Sequence, residues 1–189
     1  SKFNKVLSAA LDAGNIAAVQ LRLKGASDDD IKHAAELLMP TARANGAIFI
    51  INDRPDLAAA LGCDGVHVGQ DDIQYNIARS IVGDKNIVGV TCHNSKHLAM
   101  IAGEQGADYV AFGAFFPTLT KKTKYRANVD ILSWWSEFMI IPAVAIGGIT
   151  IENCPPLVRA GTDFLAISSA VWDHPKGPAF AVTQFNNVM

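Results

Sequence analysis

The stretch AIFIINDRPDLAAALGCDGVHVGQDD, residues 47–72, decides the fold. It holds two short apolar runs that each end in polar residues, with a helix-length amphipathic stretch between them. Five more apolar runs of this kind begin at residues 18, 86, 108, 142 and 164. Strands that alternate with helices in this way predict a parallel sheet covered by helices. Polar residues that follow parallel strands gather at one edge of the sheet, where (β/α) barrels build their active sites.

The composition is that of a globular enzyme-like chain. Its 189 residues, half of them apolar, predict one domain, 1–189, with a sizeable core. The net charge of −2 without a basic block argues against a nucleic-acid groove. No apolar run reaches the roughly 18 residues that span a bilayer, and we expect no signal peptide. The three cysteines form no CxxC motif, so we expect neither a disulfide nor structural zinc, and a reducing cytoplasm.

Seven predicted strands are one fewer than a closed eight-stranded barrel requires. The chain opens in a helix-like stretch, 3–13, and we expect that an N-terminal strand is absent from this numbering. The predicted fold is therefore α/β, a (β/α)8 TIM barrel without its first strand. An open doubly wound sheet is the alternative. Against it, no GxGxxG motif follows the first strand, and the polar residues are spread over all strand ends rather than one switch point.

Two helices have recognisable boundary signals. Ser27, followed by three aspartates, predicts the start of a helix that ends at Pro40. Asn94 or Ser95 is expected to cap a helix that continues to Gln105.

The run QLRLK, residues 20–24, carries three long polar side chains at alternate positions. On a strand, Gln20, Arg22 and Lys24 would share one face. Such side chains are costly inside a parallel sheet unless they meet anions or one another. The spacing therefore favours an anion site, with a half-solvated edge strand as the alternative.

Carboxylates follow the next two predicted strands. Asn52 and Asp53 end one of them, and Asp72 ends the other. Oxygen ligands at adjacent strand ends suit Mg²⁺, which takes one or two carboxylates together with substrate phosphates. We therefore predict a Mg²⁺ site at Asp53 and Asp72. The structural alternative is that Asp53 pairs with Arg54 and that Asp72 caps a helix beginning at Ile73.

Hydroxyl, cationic and small residues follow the later strands. The loop with Thr118, Thr120 and Lys121 suits a mobile lid over an anion. Gly147-Gly148 and Ser168-Ser169 expose backbone N–H groups where barrels frequently hold phosphate.

Other polar residues are expected to be structural. The adjacent Cys92 and His93 lack a third triad member, and we expect no nucleophilic pair there. His67 is expected to be a hydrogen-bonded residue within the third strand.

These motifs, in this order, resemble the thiamine-phosphate synthase family. The resemblance spans about residues 19–171, including VQLRLK, IINDR, GVHVGQDD, IVGVTCHN, GADYVAFGAFFPTLTK, IPAVAIGGIT and AGTDFLAISSAV. It implies a barrel enzyme that joins 4-amino-2-methyl-5-hydroxymethylpyrimidine diphosphate to a thiazole phosphate in thiamine biosynthesis. It also implies Mg²⁺ as cofactor and a largely dissociative route, with release of pyrophosphate. The expected partners are these small molecules, not nucleic acid or membrane, and the oligomeric state, including a homo-oligomer, is left open.

The resemblance also implies roles for particular residues. Gln20, Arg22, Lys24 and Asn52 match contacts to the pyrimidine diphosphate, and Lys121 matches a contact to pyrophosphate. Thr91 is expected to be among the substrate-binding residues. Asp53 and Asp72 match the metal ligands, Thr118 and Thr120 the thiazole phosphate contacts, and Gly148, Ile167 and Ser168 the remaining phosphate cradle. Lys121, Arg22 and Thr91 are the expected catalytic residues.

Two departures from the family pattern leave alternatives open. The family commonly has serine at the position of Thr91, and Cys154-Pro155-Pro156 is also unusual. One alternative is a thiazole tautomerase, which would use an acid–base histidine and need no diphosphate site. The other is a catalytically idle paralogue that binds only a thiazole phosphate.

Overall fold

The computed structural model describes residues 2–118 and 124–189. Seven parallel strands form one sheet in chain order. The strands are β1 (Ala18–Leu21), β2 (Ile48–Asn52), β3 (Gly65–Val68), β4 (Ile87–His93), β5 (Tyr109–Gly113), β6 (Ala143–Ile146) and β7 (Phe164–Ala166). Helices of the described part are α1 (Lys2–Asp12), α2 (Asp28–Ala44), α3 (Pro55–Ala60), α4 (Tyr75–Val82), α5 (Lys96–Glu104), α6 (Asp130–Phe138), α7 (Pro155–Arg159), α8 (Ser169–Trp172) and α9 (Pro178–Asn186).

The strand order contains no reversal, because every strand pairs with its neighbours in the chain. A doubly wound sheet has such a reversal at its switch point, and that alternative is therefore wrong. The predicted α/β class with parallel strands is confirmed, and the sheet curls as part of a TIM-like barrel. Among the described residues β1 and β7 are the two edges of the sheet, so closure by eight strands is not confirmed.

The two faces of the curled sheet differ in polarity. The outer face packs against the helices and is apolar, with these side chains buried: Phe49, Ile51, Val66, Val68, Val88, Val90, Val110, Phe112, Ala143 and Ala145. The inner face carries polar side chains that bond across strands, such as Gln20 with Asn52 and His67 with Thr91. A buried parallel strand is ordinarily apolar on both faces, so its polar side chains set this inner face, the lumen of the curled sheet, apart as a candidate site.

Three turns between a helix and a strand share one hydrogen-bonding pattern. An aspartate before the strand accepts a backbone N–H from the preceding strand. The pairs are Asp64 with Phe49 (2.6 Å), Asp108 with Val88 (2.7 Å) and Asp163 with Ala143 (2.8 Å). In each pair the backbone N–H of the aspartate also donates to the backbone carbonyl of its partner on the preceding strand. These turns fasten β2 to β3, β4 to β5 and β6 to β7 at the end opposite the predicted site.

The helix boundaries were predicted correctly at two places and wrongly at one. Ser27 forms a capping box with Asp30, and Ser95, rather than Asn94, accepts the backbone N–H of Leu98. The predicted end of α2 at Pro40 is wrong, because the helix continues to Ala44. Proline removes one helical hydrogen bond. The last turn nevertheless stays helical because Ala42 is fully buried there, while Arg43 binds Asp64 at 2.8 Å.

The described residues include no helix that is both long and apolar enough to cross a bilayer. Cys63, Cys92 and Cys154 are all buried, and none of them is paired with another cysteine.

Candidate active site

A cavity of 280 Å³ opens at the C-terminal ends of β1 and β2. Arg22, Lys24, Asn52 and Asp53 all line it. Gln20 lies beside this group, since its Nε2 donates to Oδ1 of Asn52 at 2.8 Å. Five residues predicted to contact the pyrimidine diphosphate or its metal therefore lie together.

The local reason for this grouping differs from the prediction. Gln20, Arg22 and Lys24 do not share a strand face, because β1 ends at Leu21 and Lys24 lies in a turn. The ladder of β1 with β2 stops at Leu21 and Ile51. Just beyond the last pair of this ladder, Asp53 has a φ of 63°, and the backbone that follows β2 turns away from β1 there. Arg22 and Lys24 reach the cavity from a loop, so strand alternation does not set their directions.

Asp53 and Asp72 form a carboxyl pair although they follow different strands. Their side chains are hydrogen bonded to each other. Burial raises the pKa of Asp53, and the hydrogen bond and charge of Asp72 raise it further, to about 6. The positive charges of Lys24 and Arg22 act in the opposite direction on that pKa. Two carboxyl groups held this closely cannot both ionise easily, so a bound proton or a cation stabilises the pair.

Both structural alternatives for these aspartates are wrong. Arg54 does not engage Asp53, because its guanidinium binds Asp28 and Asp56. Asp72 does not cap a helix at Ile73, because α4 begins at Tyr75. Instead, Oδ2 of Asp72 accepts the backbone N–H of Gly69 at 2.9 Å, which holds the carboxylate in a turn.

The donor set fits Mg²⁺. Across residues 2–118 and 124–189, no three His, Cys, Asp or Glu side chains lie together closely enough to hold a metal ion. Mg²⁺ commonly takes one or two carboxylates, with waters and substrate phosphates as its remaining ligands. The two aspartates beside Arg22 and Lys24 have the composition that such a site would need.

A second cavity, of 410 Å³, opens beside β6 and contains Thr118, Gly148, Thr150 and Ser169 in its lining. Gly148 has a φ of 66°, and a side chain there would lie 2.3 Å from the carbonyl oxygen of Pro117. Glycine is therefore required for the two loops to approach each other. The predicted phosphate contacts Thr118 and Gly148 thus meet at this cavity.

The loop after Gly148 is fixed by one asparagine. Asn153 Nδ2 donates to the carbonyl of Gly148 at 3.0 Å, and its Oδ1 accepts the N–H of Thr150 at 2.8 Å. The other two predicted cradle residues, Ile167 and Ser168, directly precede α8, whose first residue lines the same cavity. Ile167 and Ser168 are not themselves in its lining, so of the predicted phosphate contacts this cavity brings together Thr118 and Gly148.

Thr120 and Lys121 lie outside the described residues, so the predicted lid stays a prediction. The C-terminal part of their loop is described again from Lys124. There the ring of Tyr125 lies 4.6 Å from that of His93, and Asn94 Nδ2 donates to the carbonyl of Arg126 at 3.3 Å.

Thr91 lies inside the sheet on β4, and neither cavity has it in its lining. Its hydroxyl is 2.7 Å from His67 Nε2, and His67 Nδ1 is 2.8 Å from the hydroxyl of Tyr109. The prediction that His67 is a hydrogen-bonded strand residue is confirmed. Sequence reasoning missed Tyr109, whose only signal is a polar group within an apolar strand.

Cys92 cannot serve as a nucleophile with its neighbour. Its side chain is fully buried, and burial raises the pKa of the thiol to about 12. The thiol is therefore protonated at neutral pH and lies on the helix-facing side of β4. His93, the next residue, faces Tyr125 instead.

Comparison with known proteins assigns the family. The model of the thiamine monophosphate synthase family, TMP-TENI, matches residues 1–171. A thiamine-phosphate synthase of Rhodospirillum centenum is 63% identical over 99% of this chain and 90% of that protein. The one from Hyphomonas neptunium is 50% identical over 98% of this chain and 86% of its own length.

A solved structure agrees with these relatives. Thiamine phosphate pyrophosphorylase from Pyrococcus furiosus superposes with a TM-score of 0.88 at 30% identity, covering 98% of this chain and 88% of that one. The chain therefore belongs to the thiamine monophosphate synthase family, and it is a transferase enzyme of thiamine biosynthesis.

Proposed function

We propose that the enzyme joins 4-amino-2-methyl-5-hydroxymethylpyrimidine diphosphate to 4-methyl-5-(2-hydroxyethyl)thiazole phosphate, with Mg²⁺ as cofactor. The products are thiamine phosphate and pyrophosphate. One observation carries the proposal: the carboxyl pair of Asp53 and Asp72 lies beside Arg22 and Lys24 at the strand ends. Two carboxylates that could hold a divalent metal ion lie next to the positively charged side chains of Arg22 and Lys24. This combination suits a diphosphate better than a single phosphate.

The residues of the first cavity would act on the leaving group. As the bond between the pyrimidine methylene carbon and the diphosphate oxygen breaks, its electron pair passes to pyrophosphate. Arg22 and Lys24 would stabilise that growing negative charge. Mg²⁺ held by Asp53 and Asp72 would supply further neutralisation of the phosphate oxygens. The pair of Gln20 and Asn52 would orient the pyrimidine at the cavity wall.

The second cavity would hold the other substrate. Thr118 and the backbone around Gly148 offer hydrogen bonds to a phosphate group. With the thiazole fixed there, its ring nitrogen donates a lone pair to the methylene carbon and forms the new C–N bond. The route is dissociative and needs no protein nucleophile, in agreement with the buried, protonated thiol of Cys92.

The tautomerase alternative finds less support. It requires an acid–base histidine at the thiazole, and the loop 114–126 contains none. His67 is held between Tyr109 and Thr91 rather than at the second cavity. Moreover, a tautomerase has no use for two cations and two carboxylates at the opposite cavity.

Calorimetric titration followed by a product assay tests the proposal. Pyrimidine diphosphate should bind in the presence of Mg²⁺ and much more weakly after EDTA treatment. Addition of the thiazole phosphate should then give thiamine phosphate, measured as fluorescent thiochrome after oxidation. Binding of thiazole phosphate without any product would indicate an idle paralogue. Isomerisation of a thiazole phosphate, without binding of the diphosphate, would indicate a tautomerase.

A further inference from the structure

A chain of three polar side chains, two of them buried and that of Tyr109 partly buried, crosses the interior of the sheet. Tyr109 on β5, His67 on β3 and Thr91 on β4 are joined by contacts of 2.8 Å and 2.7 Å. His67 and Thr91 are each only 8% exposed. Burial of such a network costs little free energy of folding while every member is hydrogen bonded. A member left without a partner would destabilise the fold strongly.

The geometry of the chain is fixed by a close approach. The ring of Tyr109 crosses in front of Gly89, where an added Cβ would lie 1.9 Å from the tyrosine Cζ. Gly89 pairs with His67 in the ladder between β3 and β4. The tyrosine ring can therefore reach over β4 and stack on the imidazole, with 5.5 Å between the ring centroids. A residue with any side chain at position 89 would close this path.

The direction of the hydrogen bonds follows from Tyr109. Burial raises the pKa of its hydroxyl, which is therefore protonated and needs an acceptor. Among the described residues, the hydrogen bond recorded for that hydroxyl is the one to His67 Nδ1. A proton on Nδ1 would leave the phenolic hydrogen without an acceptor. Nδ1 is accordingly the acceptor, and the imidazole proton lies on Nε2.

The tautomer of His67 sets the direction of its hydrogen bond with Thr91. With its proton on Nε2, His67 donates to the Oγ1 of Thr91. The hydrogen of the threonine hydroxyl must then point away from His67. A β-branched side chain has a stiff χ1 angle, so Thr91 holds its Oγ1 in this position more firmly than serine would.

We propose that Tyr109 and His67 are positioning residues that make Thr91 a hydrogen-bond donor to the bound pyrimidine substrate. This step rests on the proposed function, and the strand register supports it, because His67 pairs with Asn52, which lines the first cavity and is proposed to orient the pyrimidine. The atom that Thr91 contacts must be an acceptor, such as an unprotonated ring nitrogen or a phosphate oxygen. An amino group that offers only hydrogens would not fit this position.

NMR of the imidazole tests the direction of the chain without any substrate. Long-range ¹H–¹⁵N spectra should show His67 as the neutral tautomer with its proton on Nε2, assigned by loss of the signal in His67→Gln. In Tyr109→Phe, which keeps the ring but removes the hydroxyl, a second tautomer should appear. A wild-type His67 that carries its proton on Nδ1, or on both nitrogens, would overturn the proposal.

Steady-state kinetics test the effect on substrate. Thr91→Val should lower kcat/KM for the pyrimidine diphosphate about tenfold, and Thr91→Ser should recover most of that loss. Tyr109→Phe should raise KM for this substrate several-fold and leave KM for the thiazole phosphate unchanged. Tyr75→Phe is the matched control, because its buried hydroxyl donates to the carbonyl of Gly106, outside the lumen.

The outcomes separate a positioning role from a packing role. If Tyr109→Phe and Tyr75→Phe lower the melting temperature alike and neither changes KM, Tyr109 only stabilises the fold and the proposal fails. If the wild type forms no thiamine phosphate, the proposed function fails, and with it the role of Thr91. The tautomer of His67 would still decide the direction of the hydrogen bonds.

Discussion

At the scale of single residues, Asp53 combines two unfavourable features. Its φ of 63° is uncommon for a residue with a side chain, and its carboxyl group lies against that of Asp72. Residues that keep such conformations and like-charge contacts tend to lie at functional sites. Strain and repulsion therefore coincide at the residue predicted to bind the metal.

The raised pKa of Asp53 predicts how stability depends on pH without metal. The folded-state pKa of about 6 lies above the ordinary value of 3.8. The folded state therefore binds this proton more tightly, and the stability it contributes is lost as the pH rises through 6. Asp53→Asn removes this effect. Calorimetric melting in EDTA should show that the melting temperature falls more between pH 5 and pH 8 for the wild type than for Asp53→Asn. Equal losses in both proteins would contradict the assignment.

The same variant should abolish Mg²⁺-dependent turnover, since an amide is a weak ligand for this ion. Asp72→Asn should do likewise, and both variants should keep the wild-type circular dichroism spectrum. Normal turnover of either variant would contradict the metal site.

Lys24 gives a second residue-scale prediction. Lys24→Ala should weaken pyrimidine diphosphate binding by about 1.5–3 kcal/mol, the range for a charge-assisted hydrogen bond. Calorimetric titration in the presence of Mg²⁺ measures this directly. Lys32→Ala is a suitable control, because Lys32 is a lysine of α2 that pairs with Asp29. If both variants bind alike, Lys24 does not contact the diphosphate.

At the scale of elements, the aspartate turns predict stability changes without functional ones. Asp108 accepts the N–H of Val88 and also binds Arg79. Asp163 accepts the N–H of Ala143, and no arginine among the described residues forms an ion pair with it. Asp108→Ala should therefore lower the free energy of unfolding by about 1–3 kcal/mol, and Asp163→Ala by less. Urea denaturation measures both.

Neither substitution should change KM, because these turns lie at the opposite end of the strands from the cavities. A changed KM with an unchanged urea midpoint would show that the aspartates act on the site instead.

The elements also show what a sequence can predict. Apolar runs and helix caps such as Ser27 are local signals, and they placed the strands in the right order. The end of α2 depends on contacts of Arg43 with Asp64, 21 residues away, so Pro40 was misleading. The position of Lys24 depends on where the neighbouring β2 turns at Asp53. Tyr109 was missed for the same reason, since its partner lies on a strand two places away in the sheet.

At the scale of the whole molecule, the two cavities contain different parts of the predicted site. The residues predicted to bind the diphosphate and metal follow β1 to β3, and the residues predicted to bind the thiazole phosphate follow β5 to β7. Motif order was sufficient to predict this division, because parallel strands in sequence order place successive motifs side by side. Motif order could not predict how deeply the side chain of Thr91 is buried, because that burial depends on the curvature of the sheet.

The three cysteines give a prediction at this scale, since they are spread through the core. Each is at most 3% exposed, and none lies in the lining of either cavity. The triple Cys→Ala variant should keep its turnover but melt at a lower temperature, because buried cysteines pack as small apolar groups. Lost turnover with an unchanged melting temperature would reopen Cys92 as a catalytic residue.

The repeated aspartate turns have a mechanical consequence for the sheet. They join the strands in pairs at the end of the sheet that lies opposite the cavities. Bending would then concentrate at the opposite end of the strands, where the two cavities open. Amide hydrogen exchange should follow this gradient, with the N–H groups of Phe49, Val88 and Ala143 among the slowest. A sheet that is rigid at one end and deformable at the other would widen at the cavities while its core packing stays unchanged.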